Sequence, residues 1–195
     1  MMILDNYFPS PIGREEHPEW LEKMLPILDE IFRGPKENLR SDFYHNGETT
    51  YGKRSIHTEP QFAEFVKFIQ ERACNFLELQ GYDSSRVHWN PSFFANSFRK
   101  GTTHPKHVHS QCTVSGIFYL QTPPGSANII FHPNQPFRDF FDYMFYVKDP
   151  NNWWAKQNAV YTPYPGLLMM WPSWLYHEVP ANNSEQPRTS IVFNL

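Results

Sequence analysis

The sequence predicts a mainly β protein, a sandwich or barrel of short strands with helices gathered in its N-terminal part. Three observations carry this: a series of short β-branched and aromatic runs after Gly81, Pro and Gly clusters between those runs, and two amphipathic stretches before them. Composition agrees, because aromatics make up 17% of the 195 residues against 9 Gly, 18 Pro and 19% charged residues. That balance favours an ordered chain of strands and turns over a disordered or helical one. The length suffices for one sizeable core, so a single domain over 1–195 is expected, with 1–86 as helical support and 87–195 as the β core.

From Pro18 to Phe32 the residues Trp20, Leu21, Met24, Leu25, Leu28, Ile31 and Phe32 recur at helical spacing, with Pro26 expected to kink or divide the segment. Thr58-Glu59-Pro60-Gln61 has the form of a capping box with Pro in the first turn. Phe62, Phe65, Val66, Ile69, Ala73, Phe76 and Leu77 then make one apolar face, and Gly81 ends the helix. Strands are predicted over Val87 to Phe98, Thr113 to Leu120, Ala127 to Phe131, Tyr143 to Val147, Ala159 to Thr162, Leu167 to Trp171 and Ser190 to Asn194. Pro123-Pro124-Gly125 and Pro163-Tyr164-Pro165-Gly166 punctuate them. A helix from the first half should cover one sheet, since its apolar stripe needs a surface to bury against.

A net charge of -3 gives no general affinity for nucleic acid or an acidic membrane. Cys74 and Cys112 are far apart and form no C-x-x-C pair, so neither a disulfide framework nor a thiolate zinc site is expected, and a reducing compartment fits. The opening Met1-Met2-Ile3-Leu4-Asp5 meets an acid at once, and no run is long enough to span a bilayer, which reads as a soluble cytoplasmic protein. Asn182-Asn183-Ser184 matches a glycosylation pattern but reads as a turn in that setting.

The chemistry starts at His107-Val108-His109. In an extended strand, residues i and i+2 share a face, so both imidazoles can turn toward one ion while Val108 points away. His177 follows Met169-Met170-Trp171-Pro172, where a strand meets a loop, and a rim position there can face the pair. Each histidine alone is more often a hydrogen-bonded surface or core residue, whereas the three together point to a metal site; neutral imidazoles suit Fe, Zn, Cu and Ni alike. Eleven residues past His177, Arg188 and Ser190 share a strand face and offer a planar cation with a hydroxyl, suited to one carboxylate of a small diacid. Alone, such an Arg would more often close a surface turn.

Read together, these residues resemble the Fe(II)- and 2-oxoglutarate-dependent dioxygenases, in particular a small branch with His-x-His followed by Ser-Gly-x-x-Tyr. The matching positions are His107-Val108-His109, Ser115-Gly116-Ile117-Phe118-Tyr119, Pro163-Tyr164-Pro165-Gly166, Trp171-Pro172-Ser173-Trp174, His177 and Arg188-Thr189-Ser190. The resemblance covers residues 87 to 195, and its specificity lies in the order and spacing of fragments that are individually weak. It implies a distorted double-stranded β-helix, a cupin-like jelly roll, with Fe(II) at its open end held by His107, His109 and His177. Arg188 would grip the distal carboxylate of the cosubstrate 2-oxoglutarate with help from Ser190, and Tyr119 and Asn96 would touch the cosubstrate. The implied reaction consumes O2, decarboxylates 2-oxoglutarate to succinate and hydroxylates a substrate.

Many relatives carry Asp or Glu where this chain has His109, so the local motif offers a third imidazole and no acid. Three arrangements stay open: a three-His iron site, a carboxylate arriving from Asp139 or Asp142, or different metal chemistry. The three-His site is preferred, with His104 behind Pro105 assigned to a supporting or loop role. Between His132 and Gln157 the rings of Phe137, Phe140, Phe141, Tyr143, Phe145, Tyr146, Trp153 and Trp154 fit either a lid over the site or core filling. A peptide side chain or a small metabolite is the expected substrate, and no basic stripe favours a nucleobase. Two rivals are a cupin-like three-His dioxygenase or isomerase without 2-oxoglutarate, which leaves Arg188 unemployed, and a noncatalytic β-sandwich interaction module with structural histidines.

Overall fold

Short runs of β-branched and aromatic residues pair into two antiparallel sheets, and the amphipathic helices cover one of them. The computed structural model describes residues 2–3, 9–133, 146, 148–149, 152 and 158–195. In chain order it contains β1 (Gly13–Glu16), α1 (Leu21–Arg33), β2 (Gly47–Thr49), α2 (Ala63–Glu78), β3 (Ser92–Phe98), β4 (His104–His107), β5 (Val114–Gln121), β6 (Ile129–Phe131), β7 (Ala159–Tyr161), β8 (Leu167–Pro172), β9 (His177–Val179) and β10 (Arg188–Asn194). The larger sheet has the order β1-β8-β5-β10-β3-β2, and the smaller one β4-β9-β6-β7. From β3 onward the chain passes back and forth between the two sheets, except at the consecutive pair β6–β7 in the smaller one, so strands distant in sequence become neighbours. This is the expected double-stranded β-helix fold, with its sheets facing each other rather than closing into a barrel.

Alternation along the strands builds two cores. Phe93, Ala95, Phe118, Leu168, Met170, Ile191 and Phe193 face the helices, in one cluster with Leu28, Phe62, Phe65, Ile69 and Ala73. Their neighbours Phe94, Ile117, Tyr119, Leu167, Met169, Trp171 and Val192 point between the sheets with Ile129 and Phe131. Phe62, Phe65 and Ile69 are fully buried, and each such side chain contributes roughly 1.5–3 kcal/mol. The closest packing lies at Gly116: a Cβ there would sit 2.1 Å from the Phe193 ring and 2.5 Å from the Met169 carbonyl oxygen. Only glycine lets the Phe193 ring lie against the sheet at that point.

Several expectations need correction. α1 runs undivided through Pro26, because burial of Met24, Leu28 and Ile31 outweighs the roughly 3 kcal/mol an internal proline costs. The capping box does not form. Thr58 Oγ1 donates to the Ser55 carbonyl, and Glu59 is engaged by Arg54 at 2.5 and 2.7 Å, while Pro60 starts a short 3-10 turn ahead of α2. The strand expected from Val87 begins only at Ser92, after a 3-10 turn at Ser84–Arg86. Gly81 adopts the left-handed conformation (φ 84°) just after α2, as a helix-ending glycine should. The strand expected over Tyr143 to Val147, the aromatic stretch it belongs to, and Asp139 and Asp142 fall largely or wholly outside the described residues. Both cysteines are free. Among the described residues no helix is long and apolar enough to cross a membrane.

Candidate metal centre

β4 and β9 are neighbours in the smaller sheet, with His107 opposite His177 in register. His109 lies just past the end of β4, where its backbone N–H donates to the Ser173 carbonyl at 2.9 Å and turns its ring inward. The ligand-type nitrogens of His107, His109 and His177 consequently lie within 4.8 Å of one another, and among the described residues no carboxylate joins them. His109 Nε2 and His177 Nε2 are 3.2 Å apart.

Hydrogen bonds select the tautomers. His107 Nδ1–H donates to the Pro105 carbonyl (2.7 Å) and His177 Nδ1–H to the Leu175 carbonyl (2.9 Å), which leaves both Nε2 lone pairs facing the cluster. His107 Nε2 is buried with no hydrogen-bond partner. An orphaned buried nitrogen aimed at two more imidazoles is the arrangement a metal ion would satisfy. Burial, with the neighbouring imidazoles adding to it, lowers His109 to about 4 and His177 to about 2, and burial lowers His107 as well. All three are neutral at physiological pH, the form that binds iron. The rings of Trp171 (4.8 Å) and Phe131 (5.9 Å) pack on His177 and wall it from water.

His104 belongs to β4 rather than to a loop, and its ring stacks on His107 at 3.8 Å. Burial lowers it to about 3, with the charges of the neighbouring histidines and Arg188 adding to the effect. It is outside the convergent trio and buttresses one member of it.

Three adjacent strands of the larger sheet bring the remaining residues together. Ser190 on β10 pairs with Asn96 on β3 and with Tyr119 on β5, so the three side chains lie in one row facing the space between the sheets. A β-bulge beside Thr189 shifts the register next to Arg188. Arg188 is 1% exposed and donates from Nη2 to the Tyr119 hydroxyl at 3.1 Å. Its guanidinium lies 4.8 Å from the Tyr119 ring centroid and 5.6 Å from that of Phe98. Among the described residues no carboxylate pairs with it, and its Nε, Ser190 Oγ and Asn96 Oδ1 are all buried without partners. A desolvated cation among unsatisfied polar atoms calls for a buried anion. Burial raises the Tyr119 phenol, so its hydroxyl keeps the proton it can donate there.

Tyr44 escaped the sequence reading. It is buried, its ring meets Phe98 at 4.7 Å and His104 at 5.0 Å, and its hydroxyl contacts the Asn96 side chain. The one local signal was Asn46-Gly47, a turn dipeptide that places Tyr44 at the entry to β2.

A family model described as "Putative 2OG-Fe(II) oxygenase" matches residues 92–194, which include every residue of the trio and of the Arg188 row. The fold is similar to that of a Pseudomonas putida prolyl-4-hydroxylase, at a TM-score of 0.59 and 14% identity over 95% of this chain and 91% of that one. A prolyl hydroxylase from Trichoplax adhaerens, solved in complex with a hypoxia inducible factor oxygen degradation domain peptide fragment, gives a TM-score of 0.58 at 12% identity, covering 94% and 82%. HygX from Streptomyces hygroscopicus, solved with nickel and 2-oxoglutarate bound, gives 0.56 at 11%, covering 95% and 83%. No curated protein matches the sequence. Neither rival reading finds support in these comparisons, and the histidine trio suits the iron that the matched family uses together with 2-oxoglutarate and O2. The chain belongs to the 2OG-Fe(II) oxygenase family.

Proposed function

We propose that this chain is an Fe(II)- and 2-oxoglutarate-dependent hydroxylase of a peptide side chain or a small metabolite, with His107, His109 and His177 holding the iron. The observation that carries the reading is Arg188: a guanidinium 1% exposed, without a carboxylate partner among the described residues, beside a trio of neutral histidines. Its fixed planar fork matches the distal carboxylate of 2-oxoglutarate. Ser190 donates a second hydrogen bond to the same anion, and Tyr119 and Asn96 line the cosubstrate from the flanking strands. Fe(II), when bound, supplies the redox chemistry that couples oxidative decarboxylation of 2-oxoglutarate to hydroxylation of a substrate C–H bond.

The chain's own residues orient and insulate that chemistry. The Pro105 and Leu175 carbonyls hold His107 and His177 with Nε2 inward, so metal binding needs no tautomer change at either ring. Tyr119 accepts from Arg188 and keeps its own proton for the cosubstrate. Trp171 and Phe131 exclude water from the His177 side. The peptide-bound prolyl hydroxylase of similar fold supports a peptide substrate.

The test is to add 2-oxoglutarate to the Fe(II)-loaded protein without oxygen and record the visible iron-to-ketoacid charge-transfer band, in wild type and in Arg188→Ala. The proposal expects a band in wild type that needs far more cosubstrate in the variant. Iron binding without a band would leave the metal site and remove 2-oxoglutarate; absence of iron binding would end the oxygenase reading.

A further inference from the structure

At the far end of β10 from Arg188 lies a second polar row. Ser115 on β5 pairs in register with Asn194 on β10 and with Trp171 on β8, and Ser173 follows the last residue of β8. Ser115, Ser173 and Asn194 are all buried. Ser115 Oγ donates to Asn194 Oδ1 at 2.8 Å, which commits its single proton, so the 2.7 Å contact between the two serine hydroxyls is donated by Ser173. Both hydroxyls of this row are satisfied, whereas Ser190 Oγ beside Arg188 has no partner. A row that is satisfied by the protein does not wait for a ligand, and its role lies in what it holds.

It holds a turn. The Leu175 N–H donates to the Pro172 carbonyl at 2.9 Å, closing a turn with Ser173 and Trp174 at its centre. Trp174 is half-exposed, so the buried grip on that centre comes from Ser173. All three polar groups of Ser173 are engaged: its N–H donates to the Thr113 carbonyl at 3.1 Å, its hydroxyl to Ser115, and its carbonyl accepts the His109 N–H at 2.9 Å. His109 lies beyond the paired residues of β4, so the bond from Ser173 stands in for the ladder it lacks. Two residues on, the Leu175 carbonyl accepts from His177 Nδ1 at 2.9 Å. One turn thus supplies the acceptors that fix the backbone of His109 and the ring of His177. His107 is held separately, by the Pro105 carbonyl of its own strand.

We infer that Ser173, anchored through its hydroxyl by Ser115 and Asn194, is a positioning residue for the metal centre, setting His109 and His177 at the spacing at which they share an ion. The inference rests on the iron reading given above and extends it from the ligands to the turn behind them. Loss of the hydroxyl frees the turn to shift, which displaces both acceptors at once and leaves His107 where it is.

The experiment joins nitrogen-15 NMR of the histidine rings in the metal-free protein to anaerobic Fe(II) titration, for wild type, Ser173→Ala, Ser115→Ala and the double variant. Ser115→Ala leaves the sequence of the turn intact and removes the same anchor from its other side. Ile69→Val, which opens a gap in the fully buried helix side, is the control for a general loss of stability. In Ser173→Ala and in Ser115→Ala the His177 Nδ1–H signal should shift and broaden while that of His107 stays, and Fe(II) affinity should fall about tenfold or more. The double variant should bind no more weakly than Ser173→Ala, since both substitutions break one chain of hydrogen bonds. Ile69→Val should lower the melting temperature and leave the ring signals and the Fe(II) affinity at wild-type values, a split that a merely structural role for Ser173 would not produce. An unmoved His177 signal or wild-type Fe(II) affinity in Ser173→Ala would overturn the inference, as would an equal loss of affinity in Ile69→Val. A wild type that binds no Fe(II) would overturn the iron reading and the inference together.

Discussion

On β10, Ile191 and Phe193 turn toward the helices, while Arg188 and Ser190 turn into the space between the sheets, although all four lie within six consecutive positions. The helix-facing side of the larger sheet is apolar and packed until a single glycine decides whether a ring fits. The inner side near Arg188 holds a buried cation, a hydroxyl and an amide, of which Arg188 Nε, Ser190 Oγ and Asn96 Oδ1 find no protein partner among the described residues. One face is satisfied by the fold itself, and the other is left for a ligand to satisfy. Stability and binding are thereby assigned to alternate residues of the same strands, and they should be separable by mutation.

The largest effect belongs to the helix side. Phe193→Ala removes a fully buried ring from the Gly116 contact and should cost about 3–5 kcal/mol in denaturant unfolding. A loss below about 1 kcal/mol would mean that this face collapses around the gap and that the contrast between the faces is weaker than drawn.

At the mouth of the inner face, His109→Ala should lower Fe(II) affinity by more than about 100-fold, beyond the 10–100-fold typical of losing a ligand's outer partner. His109→Asp should retain iron, since it restores two histidines and a carboxylate. Equal iron affinity in wild type and His109→Ala, followed by metal titration, would remove His109 from the ligand set.

The same histidines give the metal-free protein a pH signature. Their folded values, about 2 for His177, 3 for His104 and 4 for His109, lie below the ordinary 6.5. Between those values and 6.5 the unfolded chain binds more protons, so stability is fully present above 6.5 and falls as the pH drops. The slope is at most about 1.4 kcal/mol per pH unit for each imidazole. Thermal unfolding from pH 7 to pH 5 should show this slope in wild type and a shallower one in His177→Gln. The smallest effect is expected of Ser190→Ala: one hydrogen bond fewer to the anion, hence roughly threefold to tenfold weaker 2-oxoglutarate binding at nearly constant melting temperature.

The same contrast explains what could be read from the sequence. β5, β8 and β10 were legible because their apolar runs are long enough to show strand character, and α2 because its stripe repeats over four turns. β4 and β9 are absent from the strands predicted by apolar pattern, although the His107–His109 reading took that stretch as extended: they are four and three residues long, rich in His, Pro, Lys and Glu, and are held by pairing to neighbouring strands rather than by an apolar pattern. The histidine spacing nevertheless pointed to the cluster, although His109 joins it from just beyond the strand. Arg188 and Ser190 were named from residue type and a shared strand face, Asn96 and Tyr119 from family likeness, and strand register is what places Asn96, Tyr119 and Ser190 in one row. Tyr44 carries no local signature of its place between Phe98 and His104, which arises only when its turn packs against the β3–β4 connection. The capping box failed for a local reason: Thr58 Oγ1 donates back to the Ser55 carbonyl and Gln61 Nε2 donates to Glu59, so neither side chain of the box is left for the other's backbone N–H.

The most direct test of the central claim is the stability of Arg188→Met against wild type, each measured with and without 2-oxoglutarate on the Fe(II)-loaded protein under anaerobic conditions. Without cosubstrate the variant should be as stable as wild type or more so, because a side chain of similar length replaces a desolvated charge that has no counter-ion among the described residues. With cosubstrate at 100 times its dissociation constant, wild type should gain about 2.7 kcal/mol and the variant almost nothing. A variant that unfolds several degrees earlier yet keeps the full stabilisation by 2-oxoglutarate would show that Arg188 supports the fold rather than the ligand, and would contradict the division of labour between the two faces.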